Sequence, residues 1–290
     1  MTSPPQIFDR ALWRRRLARA ARAEKPCDFL MARVAEDFAF RLSTAQRAFP
    51  RALDLGSPQR AVADILASPG RLVVRAAPFA GGFSGENLVA DEELPPFAPE
   101  SFDLVVSALN LQFVNDLPGA LAQIRRLLAP DGLFLAAMVG GQSLRELRIC
   151  LTLAQEEIEG GASPRVAPFA DLRDLGGLLQ RAGLALPVAD VDAFTVRYAH
   201  ALDLMRDLRA MGATNALIAG ARRPLRRDVL LRACALYQEN FADDDGRIRA
   251  RFEIIWASGW APHESQQKPL APGSAKVRLS AALGDKSESL

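Results

Sequence analysis

Arg51-Ala52-Leu53-Asp54-Leu55-Gly56, then Ser101-Phe102-Asp103-Leu104-Val105-Val106-Ser107, then Leu127-Leu128-Ala129-Pro130-Asp131-Gly132-Leu133-Phe134: these three stretches, in this order, decide the fold. Each is a short apolar run, or the entry to one, with a carboxylate at an edge. Strands buried on both faces read as continuous apolar runs because helices cover each side of a parallel sheet. Stretches with helical spacing separate the three. The pattern predicts a doubly wound α/β sheet, with its ligand crevice beyond the carboxyl ends of the strands.

Working outward, strands are expected at 51–55, 71–75, 87–90, 102–108, 132–139, 184–192 and 247–257. That makes a mostly parallel, seven-stranded sheet with helices on both faces. Helices are expected at 7–24, 28–46, 59–67, 117–128, 142–159, 170–182, 200–211 and 224–241, with Lys25-Pro26 breaking the first from the second. The turn Pro130-Asp131-Gly132 should lead into the fifth strand. Residues 1–47 read as an N-terminal helical segment and 48–261 as the α/β domain. A helical insertion near 199–243 falls between the last two strands, where it can cap one end of the sheet. Pro, Gly, Ser and Gln dominate 262–290, a composition that predicts a weakly ordered tail.

Of the 290 residues, 49% are hydrophobic and 24% charged, which suits a globular core. A net charge of +2 gives no argument for nucleic acid. Cys27, Cys150 and Cys234 are far apart, so no disulfide framework or zinc cluster is expected. No apolar run approaches the roughly 20 residues that span a bilayer, and no secretory signal opens the chain. A cytoplasmic, reducing location follows as the expectation. The first helix sets Ile7, Phe8, Leu12, Trp13 and Leu17 against Arg10, Arg14, Arg15, Arg16, Arg19 and Arg22. Such a face suits an acidic partner or a membrane surface; the simpler reading is a docking helix with its arginines in solvent.

The order and wording of the three stretches resemble class I S-adenosylmethionine-dependent methyltransferases. That resemblance implies a Rossmann-like methyltransferase fold and S-adenosylmethionine as cofactor. A ligand with an adenosine and a charged amino-acid end needs three things at the crevice. The first is a Gly-rich turn after the first strand. Asp54 and Gly56 begin such a turn, but Pro58 and Arg60 stand where further glycines belong, and proline changes the loop's shape. The second is a carboxylate at the end of the second strand. No Asp or Glu lies between Asp64 and Glu86, and Arg75, Ala76 and Ala77 stand there instead. The third is an acid after the third strand, supplied by Asp91-Glu92-Glu93 ahead of Leu94-Pro95-Pro96-Phe97. Asp54, Gly56, Asp91 and Glu92 are the candidate cofactor-binding residues; Pro58, Arg60 and Arg75 are the side chains able to fill the same space.

A narrower resemblance rests on four stretches. They are Ile7-Phe8-Asp9-Arg10, Ser101 to Pro118, Ala137-Met138-Val139-Gly140-Gly141-Gln142-Ser143-Leu144-Arg145-Glu146-Leu147-Arg148, and Gly259-Trp260 with His263-Glu264-Ser265-Gln266. Together they are similar to the arginine-hydroxylating assembly factors of mitochondrial complex I and their bacterial relatives. The malonyl-carrier-protein methyltransferase of biotin synthesis is a more distant cousin. The resemblance implies modification of an arginine on the complex I subunit beside the quinone site, by a bacterial cytoplasmic protein with peripheral contact to the inner membrane. This chain departs from the family in its Gly56-Ser57-Pro58-Gln59-Arg60 loop, in having Ala77 or a neighbour where the family has an acid, and in having Gln112 where relatives carry a histidine. The departures open a second reading, a non-catalytic assembly chaperone. A third is a small-molecule or carboxylate methyltransferase.

Asn110, Gln112 and Gln142 are the candidate catalytic residues on the substrate side: the methyltransferase resemblance implies substrate-facing groups after the fourth strand, and Gln142 opens the helix after the fifth. The helix opening near Gln142 also offers N-terminal amides to an anion. Asn115 and Asp116 read equally as helix caps. Glu146 and Asp116 are the carboxylates considered for a guanidinium. No metal site is expected: a two-histidine iron centre would need both His200 and His263 plus an acid, and their spacing does not support it. Gly-x-Ser-x-Gly is absent, which disfavours a hydrolase. Asp243-Asp244-Asp245-Gly246 is followed by no calcium loop and reads as a turn before the last strand.

Overall fold

The computed structural model describes residues 6–24, 27–80, 87–220 and 224–266. Lys25-Pro26 and the tail beyond Gln266 lie outside these residues.

Seven strands form one sheet: β1 (Arg51–Leu55), β2 (Leu72–Ala77), β3 (Asn87–Val89), β4 (Phe102–Ala108), β5 (Leu128–Val139), β6 (Ala185–Tyr198) and β7 (Ile248–Trp260). Their order is β3-β2-β1-β4-β5-β7-β6. Strands β1 to β5 pair in parallel, and β7 runs antiparallel to both neighbours. The chain winds one way from β1 to β2 and the other way to β4, so the carboxyl ends of β1 and β4 frame the crevice. This is the Rossmann-like arrangement the three stretches predict.

Helices cover both faces. On one lie α2 (Phe29–Thr44), α3 (Ala61–Leu66), α5 (Arg145–Glu159), α7 (Ala201–Ala210) and α8 (Arg227–Phe241), whose apolar sides join the larger core around Phe38, Leu104, Leu147, Tyr237 and Trp256. On the other lie α4 (Leu117–Leu127) and α6 (Leu172–Arg181), packed on Phe134, Val105 and Leu55. The first helix, α1 (Arg10–Ala20), crosses the carboxyl end of the sheet instead of a face. The Asn115 side chain ties it there, accepting from the N–H groups of Ile7 and Phe8 at 2.9 and 2.8 Å and donating to the Phe8 carbonyl at 3.1 Å.

Helix α1 is shorter than expected at both ends, α8 opens three residues late and β7 runs three residues further. Three other departures have a visible cause. The turn at Pro130-Asp131-Gly132 is a bulge inside a longer β5: register moves from Phe102↔Leu128 to Leu104↔Leu133, and Asp131 takes φ 62°. Helix α5 opens at Arg145 instead of 142, because Leu144 is left-handed at φ 55° and its N–H donates to the Arg251 carbonyl. Strand β6 continues to Tyr198, held by the matching length of β7. Its extra segment, Ala193-Phe194-Thr195-Val196-Arg197-Tyr198, alternates as a strand should. No helix among the described residues is long and apolar enough to cross a membrane.

Candidate functional site

Strand β1 ends below a sharp bend. Gly56 has φ +81°, and its N–H donates to the Ala76 carbonyl at 2.7 Å. A Cβ at this position would stand 2.1 Å from Asn110 Nδ2 and 2.7 Å from Glu92 Oε1. Two side chains of the protein therefore occupy the space just above the glycine. Asn110 arrives there because Leu109, at the end of β4, turns through φ 50°. Asn110 and Glu92 are fully buried, yet both amide atoms of Asn110 and Oε1 of Glu92 make no hydrogen bond. Unmade bonds of this kind are costly, on the order of 1–3 kcal/mol each.

Asp54, two residues earlier, is also fully buried. Arg75 of β2 faces it, with Nε 3.4 Å from Oδ2, and donates from Nη2 to the Ser57 carbonyl at 2.8 Å. Burial pushes the Asp54 carboxyl up to about 6, against the opposing pull of Ser57 and Arg75. Burial likewise lowers the Arg75 guanidinium, against the pull of Asp54. Both members shift toward their neutral forms, so loss of water outweighs their mutual attraction.

A stability experiment follows from the direction of the Asp54 shift. The folded protein holds this proton to higher pH than the unfolded chain, so the Asp54 contribution is fully present near pH 4 and lost as pH rises to about 6. Asn mimics the neutral form. Relative to Asp54→Asn, the wild type should therefore lose on the order of 3 kcal/mol between pH 4 and pH 7, at 1.36 kcal/mol per pH unit. Urea unfolding at several pH values measures this. A constant difference between the two proteins would contradict it.

The acid run after β3 is filled as well. Arg10 of α1 pairs with Glu92, reaches Glu93 Oε1 at 3.0 Å and lies 3.2 Å from Asp91. Arg14, one turn on, donates to Asp91 at 2.7 Å. Burial works against the Asp91 carboxylate, but Arg14, the Glu93 N–H and Arg10 outweigh it and hold it below the usual range. Glu93 also accepts from the Asn115 N–H at 2.8 Å. The Arg10 side chain is only 10% exposed. The expectation of a solvated arginine face on α1 is thus corrected for Arg10, which the carboxylates draw inward. The sequence shows the acid run and the arginines of α1 separately, but not that Arg10 and Arg14 pair with it, because the two segments are some 80 residues apart. The one available signal was the spacing of Arg10 and Arg14, which puts two guanidiniums on one helix face.

Asp54, Gly56, Glu92 and Asn110 thus come together in one cluster, with Asp91 at its rim. Gln112 is 7% exposed and lines a neighbouring partly enclosed cavity of about 560 Å³, together with Pro58, Gln59 and residues of α1, α5 and α7. Gln142 stands apart: it is exposed, and its N–H donates to Glu253 at 3.0 Å. That internal carboxylate takes the place of the anion expected at the start of α5. The carboxylates considered for a guanidinium are also otherwise engaged. Asp116 caps α4 through the Gly119 N–H at 2.9 Å, and Glu146 accepts from the Arg251 N–H at 3.3 Å. Arg60 does not fill the crevice but pairs with Asp64 at 2.7 Å. The histidines lie at opposite ends of the sheet: His200 follows the end of β6 beside the start of β7, and His263 follows the end of β7. Asp243 and Asp245 pair with Arg197 in the turn before β7.

Residues 53–136 match a methyltransferase domain. Human arginine-hydroxylase NDUFAF5, mitochondrial, is 43% identical over 95% of this chain and 84% of its own length. The chain belongs to the arginine-hydroxylase NDUFAF5 family. A malonyl-[acyl-carrier protein] O-methyltransferase of Halorhodospira halophila is 37% identical over 66% of the chain and 62% of its own length. Among solved structures, the YcgJ protein of Bacillus subtilis shares the fold with a TM-score of 0.54, at 15% identity, covering 79% of this chain and 99% of that one.

The chain carries a methyltransferase fold of the class I, S-adenosylmethionine-dependent superfamily. The bend at Gly56 and the unpartnered atoms of Asn110 and Glu92 are features such a donor would use. The charges are not. Asp54 already faces one guanidinium and Glu92 another, and β2 ends on Ala76-Ala77 where the ribose hydroxyls need an acid. In this arrangement the residues do not fit the donor.

Proposed function

We propose that this protein acts in assembly of the respiratory NADH–quinone oxidoreductase, complex I, by engaging an arginine of the subunit beside the quinone site. The observation that supports it best is a seat for a guanidinium that the chain fills for itself. Glu92 and Glu93 grip Arg10 from two sides, and Asp91 closes a third. Several carboxylates converging on the two ends of one guanidinium, as here on Nη1 and Nη2, suit recognition of an arginine. The arginine-hydroxylase relatives at 43% identity supply the functional class. A complex I subunit is the proposed partner, and the cytoplasmic side of the inner membrane the proposed location.

Mass spectrometry of that subunit, from a strain with and without this gene, tests the reading. The expected result is an arginine one oxygen heavier in the parent and unmodified in the deletion. An identical mass in both strains would remove the modifying role. If complex I were then still lost in the deletion, the second reading would hold: a chaperone that grips the subunit without chemistry. The Asp54–Arg75 pair is the observation that favours it. S-adenosylmethionine binding belongs to the proposal only for a state in which Arg75 has left Asp54.

The seat itself can be tested in vitro. Freeing it by Arg10→Ala should tighten binding of an arginine-containing peptide from the subunit by about tenfold, with a lysine version of the peptide binding more weakly. Fluorescence anisotropy with a labelled peptide reads the change. Equal affinity in wild type and variant would show that the peptide docks elsewhere.

A further inference from the structure

The 560 Å³ cavity has a chemistry of its own. Its volume falls within the range of ligand sites, roughly 300–1,000 Å³. Most of the wall is apolar, including Leu17, Leu147, Met205 and Leu208. Among the described residues, its charged lining is Arg16, Arg165 and Arg209, with no carboxylate. A cavity walled this way repels a guanidinium, so it is not the seat of an arginine substrate.

Two residues of the lining carry polar atoms that are buried without partners: Gln112 Oε1, an acceptor, and Trp13 Nε1, a donor. Trp13 is fully buried and stacks at a tilt on Phe113, 5.1 Å between ring centroids. Buried polar atoms are normally hydrogen-bonded, and exceptions require an explanation. Two of the cations, Arg16 and Arg209, remain open to an anion. Arg16 donates to the Asn215 carbonyl, and neither Arg16 nor Arg209 forms an ion pair with a carboxylate among the described residues. Burial and the neighbouring Arg19 lower the Arg16 guanidinium, against the pull of Asp9.

We propose that this cavity binds an amphiphilic anion: an aliphatic chain lying along the apolar wall, with a single carboxylate-sized negative group at the arginines. The inference does not rest on the arginine reading, and either can fail alone.

Dodecanoate, below its micelle concentration, is the probe, and tryptophan emission is the readout, checked against Trp13→Phe to isolate the signal from Trp13. Saturable binding is expected, tightening about tenfold for each two methylenes from octanoate to dodecanoate. Dodecanol and dodecyltrimethylammonium should bind at least tenfold more weakly. Arg209→Gln, at an exposed position, should weaken dodecanoate several-fold, and Leu208→Trp should abolish binding by filling the space. No saturation by dodecanoate at several hundred micromolar would overturn the proposal. So would equal binding of the cationic or neutral chain, or undiminished binding by a folded Leu208→Trp protein. Should Leu208→Trp fail to fold, Arg209→Gln and the three head groups decide the matter.

Discussion

Arg75→Met is expected to destabilise the protein by about 3–5 kcal/mol at pH 7, the usual penalty for removing one partner of a buried ion pair. Methionine keeps most of the volume, so the change isolates charge. What remains is Asp54, buried and stripped of the guanidinium that partly offsets its loss of water. Its carboxyl, already pushed up to about 6, should rise further. The penalty should therefore shrink toward pH 5, where Asp54 takes up a proton, and grow as pH rises. The double variant Asp54→Asn/Arg75→Met should return to wild-type stability or exceed it, because replacing a whole buried pair is often neutral or better. Urea unfolding of the four proteins measures the cycle. A cost below about 1 kcal/mol for Arg75→Met would show that the pair is not energetically coupled.

Gly56→Ala should cost at least about 3 kcal/mol, for two independent reasons. The backbone is left-handed at φ +81°, where a side chain is strained by about 1–2 kcal/mol. The new methyl would also strike Asn110 Nδ2 and Glu92 Oε1, neither of which has open space to retreat into. Asn110→Ala removes the nearer obstacle. The double variant should then be less destabilised than the sum of the singles by at least about 1 kcal/mol. Strict additivity in denaturant titrations would mean that Asn110 does not lie over the glycine. The interpretation matters beyond stability: it says that the crevice is packed by the chain's own side chains.

How much of this was legible beforehand follows from which forces act locally. Strands β1 and β4 fall at the residues expected, 51–55 and 102–108, because continuous apolar runs between turns leave little choice of register. The bulge within β5 was read as a turn because Pro130-Asp131-Gly132 has turn chemistry, and only pairing with β4 and β7 shows that the strand passes through it. The cluster of Asp54, Gly56, Glu92 and Asn110 could be assembled from fold topology alone, since all four end or follow strands at one edge. Arg75 could be suspected, as the cation at the end of a strand that lacks an acid. Arg10 could not. Its seat depends on α1 crossing the sheet end, and that crossing depends on Asn115 holding residues 7 and 8, a tertiary contact with no periodic trace in the sequence. Gln142 lies outside the cluster for the opposite reason. A plausible helix start placed it near the crevice, while Glu253 from β7 had already taken the local N–H groups.

The central claim is that the buried carboxylate after the first strand is already engaged by the protein's own Arg75, so the crevice as it stands does not fit a methyl donor. Calorimetric titration of S-adenosylmethionine into the wild type and into Arg75→Met, at a pH where both are folded, tests it most directly. The predicted result is binding at least tenfold tighter in the variant. Micromolar binding by the wild type, equal to or tighter than that of the variant, would contradict it.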